Sequence, residues 1–185
     1  MKKIIDEYNN IKKPEELYNF LCDKISYGYK GNDNKLYLPS DKDFNKVWYE
    51  KYTLQNENDI LKNKVGNCYD LTELERTWFI KNNYEIETYF LIVGTNKKNN
   101  YPTHSFLTYK DNDEWCLFEV SDEKSRGILK FKDMHELLKY KLNIYINDLN
   151  LLGIKEDDKE KIILKEFTKP IEHISAKEYI ESILK

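Results

Sequence analysis

Three side chains of this 185-residue sequence could together perform acyl transfer: Cys68, His104 and Glu119, in that chain order. A thiolate is a nucleophile, and an imidazole can take up a proton and give it back. A carboxylate bonded to the imidazole fixes its tautomer and stabilises its charged form. Cys68 stands in Val65-Gly66-Asn67-Cys68-Tyr69-Asp70-Leu71, which runs directly into Thr72-Glu73-Leu74-Glu75-Arg76-Thr77-Trp78-Phe79. A turn glycine, a cysteine and then Leu71, Leu74, Trp78 and Phe79 at helical spacing predict a thiol at a helix N-terminus. Free N–H groups and the positive end of the helix dipole face a sulfur placed there and favour the thiolate. The same position suits a packed core cysteine, the commoner use of a lone one.

The histidine and the acid are joined by a register argument. Residues 104 to 109 and 114 to 120 read as two strands, separated by the turn signal Lys110-Asp111-Asn112-Asp113. A turn centred on Asp111-Asn112 puts His104 directly opposite Glu119, with both side chains on one face and close enough to hydrogen-bond. The expectation depends on the turn's position. His135, on the outer part of a helix, and His173, in a loop after Pro170, lack such a context and read as surface residues.

The elements that must hold these groups follow from periodicity. Helical spacing is expected over residues 14 to 26, 43 to 52, 55 to 61 and from Cys68 to a C-cap at Asn82-Asn83. The period then changes: residues 86 to 93 are rich in β-branched and aromatic side chains and read as a strand. Residues 96 to 102 form a polar loop. Helix returns over 132 to 146 with Met134, Leu137, Leu138, Leu142 and Tyr145 as its apolar stripe. Residues 162 to 167 read as a fourth strand stopped by Pro170, and Ser175 caps a last helix. The expectation is one α+β domain over residues 1–185, with a helical part at about 13–82, a sheet at about 86–120 and further helices and a strand at about 130–185.

Bulk composition narrows the function classes. A net charge of -3 leaves no basic excess for nucleic-acid backbone binding. Cys22, Cys68 and Cys116 are odd in number, with no Cys-x-x-Cys pair and no His/Cys spacing for zinc, so neither a metal nor a cofactor is expected. Reduced thiols fit a cytoplasmic setting. The N-terminal Met1-Lys2-Lys3-Ile4-Ile5-Asp6 breaks into charge too early for a signal peptide, and no apolar run approaches membrane-spanning length. Arginine occurs only at Arg76 and Arg126, positions where a planar fork is expected to be needed.

Gly66-Asn67-Cys68-Tyr69, followed by Thr103-His104-Ser105-Phe106 and Trp115-Cys116-Leu117-Phe118-Glu119, resembles the bacterial transglutaminase-like superfamily, a papain-like group of cysteine hydrolases and acyl transferases. The resemblance covers about residues 55 to 120 and extends loosely back to Ile25-Ser26-Tyr27-Gly28-Tyr29. It implies a nucleophile helix packed on an antiparallel sheet of three to four or more strands, flanked by N- and C-terminal helices. It also implies Cys68 as nucleophile, His104 as base and Glu119 as orienting acid. The sequence departs from the family pattern at Tyr69, where tryptophan is frequent, and at Glu119, where aspartate is usual; Asp122 is the nearest alternative acid.

The implied reaction is acyl transfer through a thioester. The Cys68 backbone N–H is the default oxyanion donor, with Gln55, Asn67 and Tyr52 as candidates for a side-chain second. Tyr69, Trp48 and Tyr101, with Tyr27, Tyr29, Tyr49 and Tyr52, are candidates to wall a cleft for an extended peptide or protein substrate. Water as acceptor gives a peptidase, amidase or deamidase, and an amine acceptor gives a crosslinking transglutaminase. Two rivals remain: a non-catalytic member that binds peptides or proteins, and a domain in which Cys68 is only packed.

Overall fold

The computed structural model describes residues 2–94, 102–154, 156–159 and 161–185. In chain order the elements are α1 (Lys2–Asn10), α2 (Pro14–Lys24), β1 (Ser26–Tyr27), β2 (Tyr29–Lys30), β3 (Leu36–Tyr37), α3 (Phe44–Lys51), α4 (Glu57–Asn63), β4 (Val65–Gly66) and α5 (Cys68–Lys81). They continue as β5 (Ile86–Val93), β6 (His104–Asp111), β7 (Glu114–Glu119), β8 (Gly127–Phe131), α6 (Met134–Leu151), α7 (Glu156–Lys159), β9 (Ile162–Glu166) and α8 (Ala176–Leu184). The class is α+β. Its main sheet has five strands in the order β8-β7-β6-β5-β9, every neighbour antiparallel.

Alternation along the central strands sorts the core into two faces. Leu107, Tyr109, Cys116 and Phe118 pack with Leu71, Leu74, Trp78 and Phe79 of α5 and with residues of α1 and α2. Tyr89, Leu91, Phe106 and Leu117 turn the other way, onto Leu137, Tyr145 and Leu149 of α6. Helix α8 joins the α5 side, with Tyr179, Ile180 and Ile183 buried alongside Tyr69, Phe90 and Ile92. The sheet is thus covered on both faces.

The turn between β6 and β7 lies one residue later than expected. Leu107 pairs with Phe118 and Asp111 with Glu114, which centres the turn on Asn112-Asp113. Asn112 takes the left-handed conformation at φ 57, which asparagine tolerates better than most residues. Continuing this register puts Phe106, not His104, opposite Glu119. His104 is two residues along on the same face, a diagonal neighbour that a long side chain can still reach. The direct pairing expected from the sequence is therefore corrected to a diagonal one.

Helix boundaries moved as well, by up to five residues. The expected 55 to 61 helix is α4, displaced to Glu57–Asn63 because Asn56 caps it by accepting from the Asp59 N–H at 2.9 Å. The expected 132 to 146 helix runs on to Leu151. Ser175 caps α8 in a full capping box, Asn82 is the C-cap of α5, and Asn83 takes φ 62. Helix α1, strand β8 and the small pairs β1–β4 and β2–β3 were not expected. In the first, a parallel pair, Tyr27 stands beside Gly66. Gly28 permits the tight crossing there: a Cβ would lie 2.5 Å from the Tyr37 carbonyl oxygen.

Candidate active site

Helix α5 begins at Cys68 itself. Asn67 is its N-cap, and the Asn67 side-chain oxygen accepts from the Tyr69 N–H at 3.0 Å and the Asp70 N–H at 3.2 Å. Asp70 returns the contact by accepting from the Asn67 N–H at 3.2 Å. Cys68 is buried at 7% exposure, and its thiol is within hydrogen-bonding reach of the His104 ring. The other ring contact is explicit: His104 Nε2 lies 2.7 Å from Glu119 Oε2. That leaves Nδ1 for the thiol.

Glu119 ends β7 in a nest of donors. Its Oε1 accepts from the Ser121 N–H and hydroxyl at 2.9 Å each and from the Asp122 N–H at 3.0 Å. Its Oε2 accepts from His104 and from Lys141 Nζ at 2.6 Å. Burial pushes this carboxyl up, but His104 and Lys141 outweigh it and hold the group well below the usual carboxylate range. For His104, burial and Lys141 act to release the proton. Glu119, together with bonds to Cys68 and Glu119, wins, and the imidazole is raised to about 9. An imidazolium beside a buried carboxylate is thus its resting form at neutral pH.

The structure brings Cys68, His104 and Glu119 together. Asp122, the alternative acid, contacts the triad through Lys141 Nζ at 2.7 Å and the Ser125 hydroxyl at 2.6 Å. His104, Glu119 and Asp122 each offer one ligand-type atom, all within 4.8 Å of one another. The Lys141 ammonium already bridges the two carboxylates, so the chain supplies its own cation at that cluster.

The candidate oxyanion side chains have hydrogen-bond partners of their own. Tyr52 donates to Asp70 Oδ1 at 3.1 Å, and the Gln55 amide donates to the Val65 carbonyl at 2.9 Å and to Asp70 Oδ2 at 3.4 Å. Both anchor the first turn of α5 from behind, as does Asn67. The side chain that does meet the thiol is Tyr27. Its residue is 39% exposed, yet its hydroxyl lies inward near Cys68, and burial, with the thiol beside it, pushes its pKa well up.

Tyr69 cannot wall an open cleft: it has no exposed surface, and its ring stacks on Tyr179 at 4.1 Å. Trp48 is half-buried with its edge against Tyr69, at 5.7 Å between centroids. Tyr101 and most of the expected polar loop before it lie outside the described residues. His135 and His173 are exposed, as expected. The arginine expectation holds at Arg76, which forks onto Glu73 through Nε at 3.1 Å and Nη2 at 3.4 Å.

Lys141 escaped the sequence reading, and Tyr27 was read only as a candidate cleft wall. Tyr27 reaches Cys68 through a long-range strand pairing that leaves no local pattern. Lys141 had a signal: it interrupts the apolar stripe of α6, four residues from both Leu137 and Tyr145, and all three are buried. A lysine in a buried stripe implies a buried acid opposite it.

No protein-family model matches this chain, and no curated protein matches it. Geometry therefore carries the functional reading. Among the described residues, no helix is long and apolar enough to cross a membrane.

Proposed function

We propose that this protein is a cysteine-dependent acyl-transfer enzyme of transglutaminase-like, papain-like type, acting as a hydrolase on peptide or side-chain amides. The supporting observation is the linkage itself: a thiol at the first residue of α5, an imidazole within its reach, and a buried carboxylate 2.7 Å from Nε2 of that imidazole. His104 holds the proton taken from the Cys68 thiol, and the thiolate Sγ attacks the amide carbonyl carbon, with the Cys68 N–H and the Tyr27 hydroxyl as the proposed donors to the oxygen that becomes negative. His104, already charged, gives its proton to the departing amine. The neutral ring then takes a proton from water, which attacks the thioester and releases the acid. Glu119 keeps the ring oriented through both steps.

Alkylation with iodoacetamide, read at each cysteine by mass spectrometry across pH, tests this reading. Exposed Cys22 serves as the internal reference. Cys68 is expected to react faster than Cys22 near pH 6 to 7, and His104→Ala is expected to slow it by about 100-fold. Reaction of Cys68 only on unfolding would overturn the reading in favour of a packed thiol. A thiol that reacts fast yet turns over amides only when a primary amine is added would shift the reaction to crosslinking.

A further inference from the structure

We propose that Lys141 is a positioning residue of this site, the built-in counter-charge that fixes Glu119 and keeps His104 able to release its proton. The proposal rests on the acyl-transfer reading and deepens it. Lys141 is 1% exposed, and its ammonium spends its three protons on three buried or half-buried oxygens: Glu119 Oε2 at 2.6 Å, Asp122 Oδ2 at 2.7 Å and Ser125 Oγ at 2.6 Å. It also lies over the Phe106 ring, 5.6 Å from its centroid, and that ring in turn stacks on His104.

The need for such a group follows from the charges. His104 faces Glu119 from β7, Asp122 from the loop after it, Lys141 from α6 and the Cys68 thiol from α5. Around Glu119, further titratable groups come from Glu75 of α5 and from Tyr18 of α2, which itself lies near Arg126. Without Lys141, two carboxylates would act on one imidazole. An imidazolium stabilised by both would donate poorly to a leaving amine and would seldom be neutral when water must be activated. Lys141 offsets one of the two anions. Its own pKa is raised, because Glu119 and Asp122 outweigh the effect of burial, so it stays charged while His104 titrates.

Side-chain NMR titration of the histidines in wild type, Lys141→Gln and Lys141→Arg tests this directly, with exposed His135 and His173 as internal references. Lys141→Gln keeps a donor for Glu119 but drops the charge. The His104 titration is expected to move upward in that variant while His135 and His173 stay in place, and Lys141→Arg should return it toward wild type. The thioester left on Cys68 by p-nitrophenyl acetate should then hydrolyse more slowly at pH 7, roughly tenfold for each unit of upward shift. An unmoved His104 in a folded Lys141→Gln protein would reduce Lys141 to a structural role. If neither variant folds, the wild-type protein still decides: loss of the Lys141 proton at a lower pH than that of His104 overturns the proposal. Absence of any acylation of Cys68 in wild type would instead sink the acyl-transfer reading, and the His104 titration would still report on Lys141.

Discussion

Glu119 and Glu75 are buried to the same degree, at 2% and 3% exposure, yet their carboxyls are shifted in opposite directions. Glu119 touches two cations and three further donors, and its carboxyl is held below the usual range. Glu75, two turns into α5 from Cys68, has Glu119, Glu73 and the thiols of Cys22 and Cys68 as its main electrostatic neighbours. Burial and these neighbours push its pKa well up. Asp70 falls between them. It accepts from the Tyr52 hydroxyl and from the N–H groups of Gln55 and Asn67, all neutral donors, and burial still raises it to about 7. Neutral hydrogen bonds offset only part of the cost of burying a carboxylate here; the two cations at Glu119 reverse it, whereas Arg76 leaves Glu73 raised to about 7.

The same amide substitution at each acid tests that ordering. Glu119→Gln is expected to have the largest effect, about 3–5 kcal/mol lost at pH 7 in urea unfolding, because Lys141 and His104 lose their shared anion. Glu119 has a depressed folded-state pKa, so its contribution is present above about pH 4.5 and lost as pH falls further. The His104 titration should also drop from about 9, since burial and Lys141 would then be opposed only by Asp122 and the bond to Cys68.

Asp70→Asn comes next, at about 1–3 kcal/mol in acid, because an amide N–H2 replaces an acceptor among donors. Asp70 binds its proton more tightly when folded, so wild-type stability falls as pH rises from 3.8 to about 7. Unfolding midpoints against pH should show the deficit of Asp70→Asn shrinking across that window.

Glu75→Gln should change stability by under about 1 kcal/mol near pH 5. The raised folded-state pKa of Glu75 costs the wild type stability as pH rises above 4.5, and glutamine removes that cost. The variant should gain on the wild type toward pH 8. A loss as large as that of Glu119→Gln would break the comparison.

The site was legible in the sequence where its signals were local. Gly66-Asn67-Cys68 and the apolar residues after it gave the start of α5, because capping chemistry is written within a few residues. His104 and Glu119 were paired despite a turn placed one residue early. Shifting the turn centre by a whole residue moves the pairing by two, which keeps both side chains on one face. The extra methylene of glutamate spans the resulting diagonal. What stayed hidden depends on contacts between distant segments: Tyr27 set beside Gly66, Lys141 crossing from α6, and Gln55 and Tyr52 turned toward Asp70. Tyr69 misled for a related reason. A tyrosine beside a nucleophile reads as cleft wall until the helix that covers it is known, and that helix is α8. Strand β8 was missed because its residues are mostly half-buried at the sheet edge and show little alternation.

The stacking of Tyr69 on Tyr179 has a consequence for the order in which the chain assembles its candidate site. The first turn of α5 is pinned by a residue 110 positions later in the sequence, and Thr53 bridges to Ser175 across a similar span. Such long loop closures are slow and come late in folding. During synthesis the thiol, imidazole and carboxylate would all have emerged well before the segment that packs on the first turn of α5. On the acyl-transfer reading, a growing chain therefore carries all three groups of the site before α8 has docked against the helix that bears the thiol.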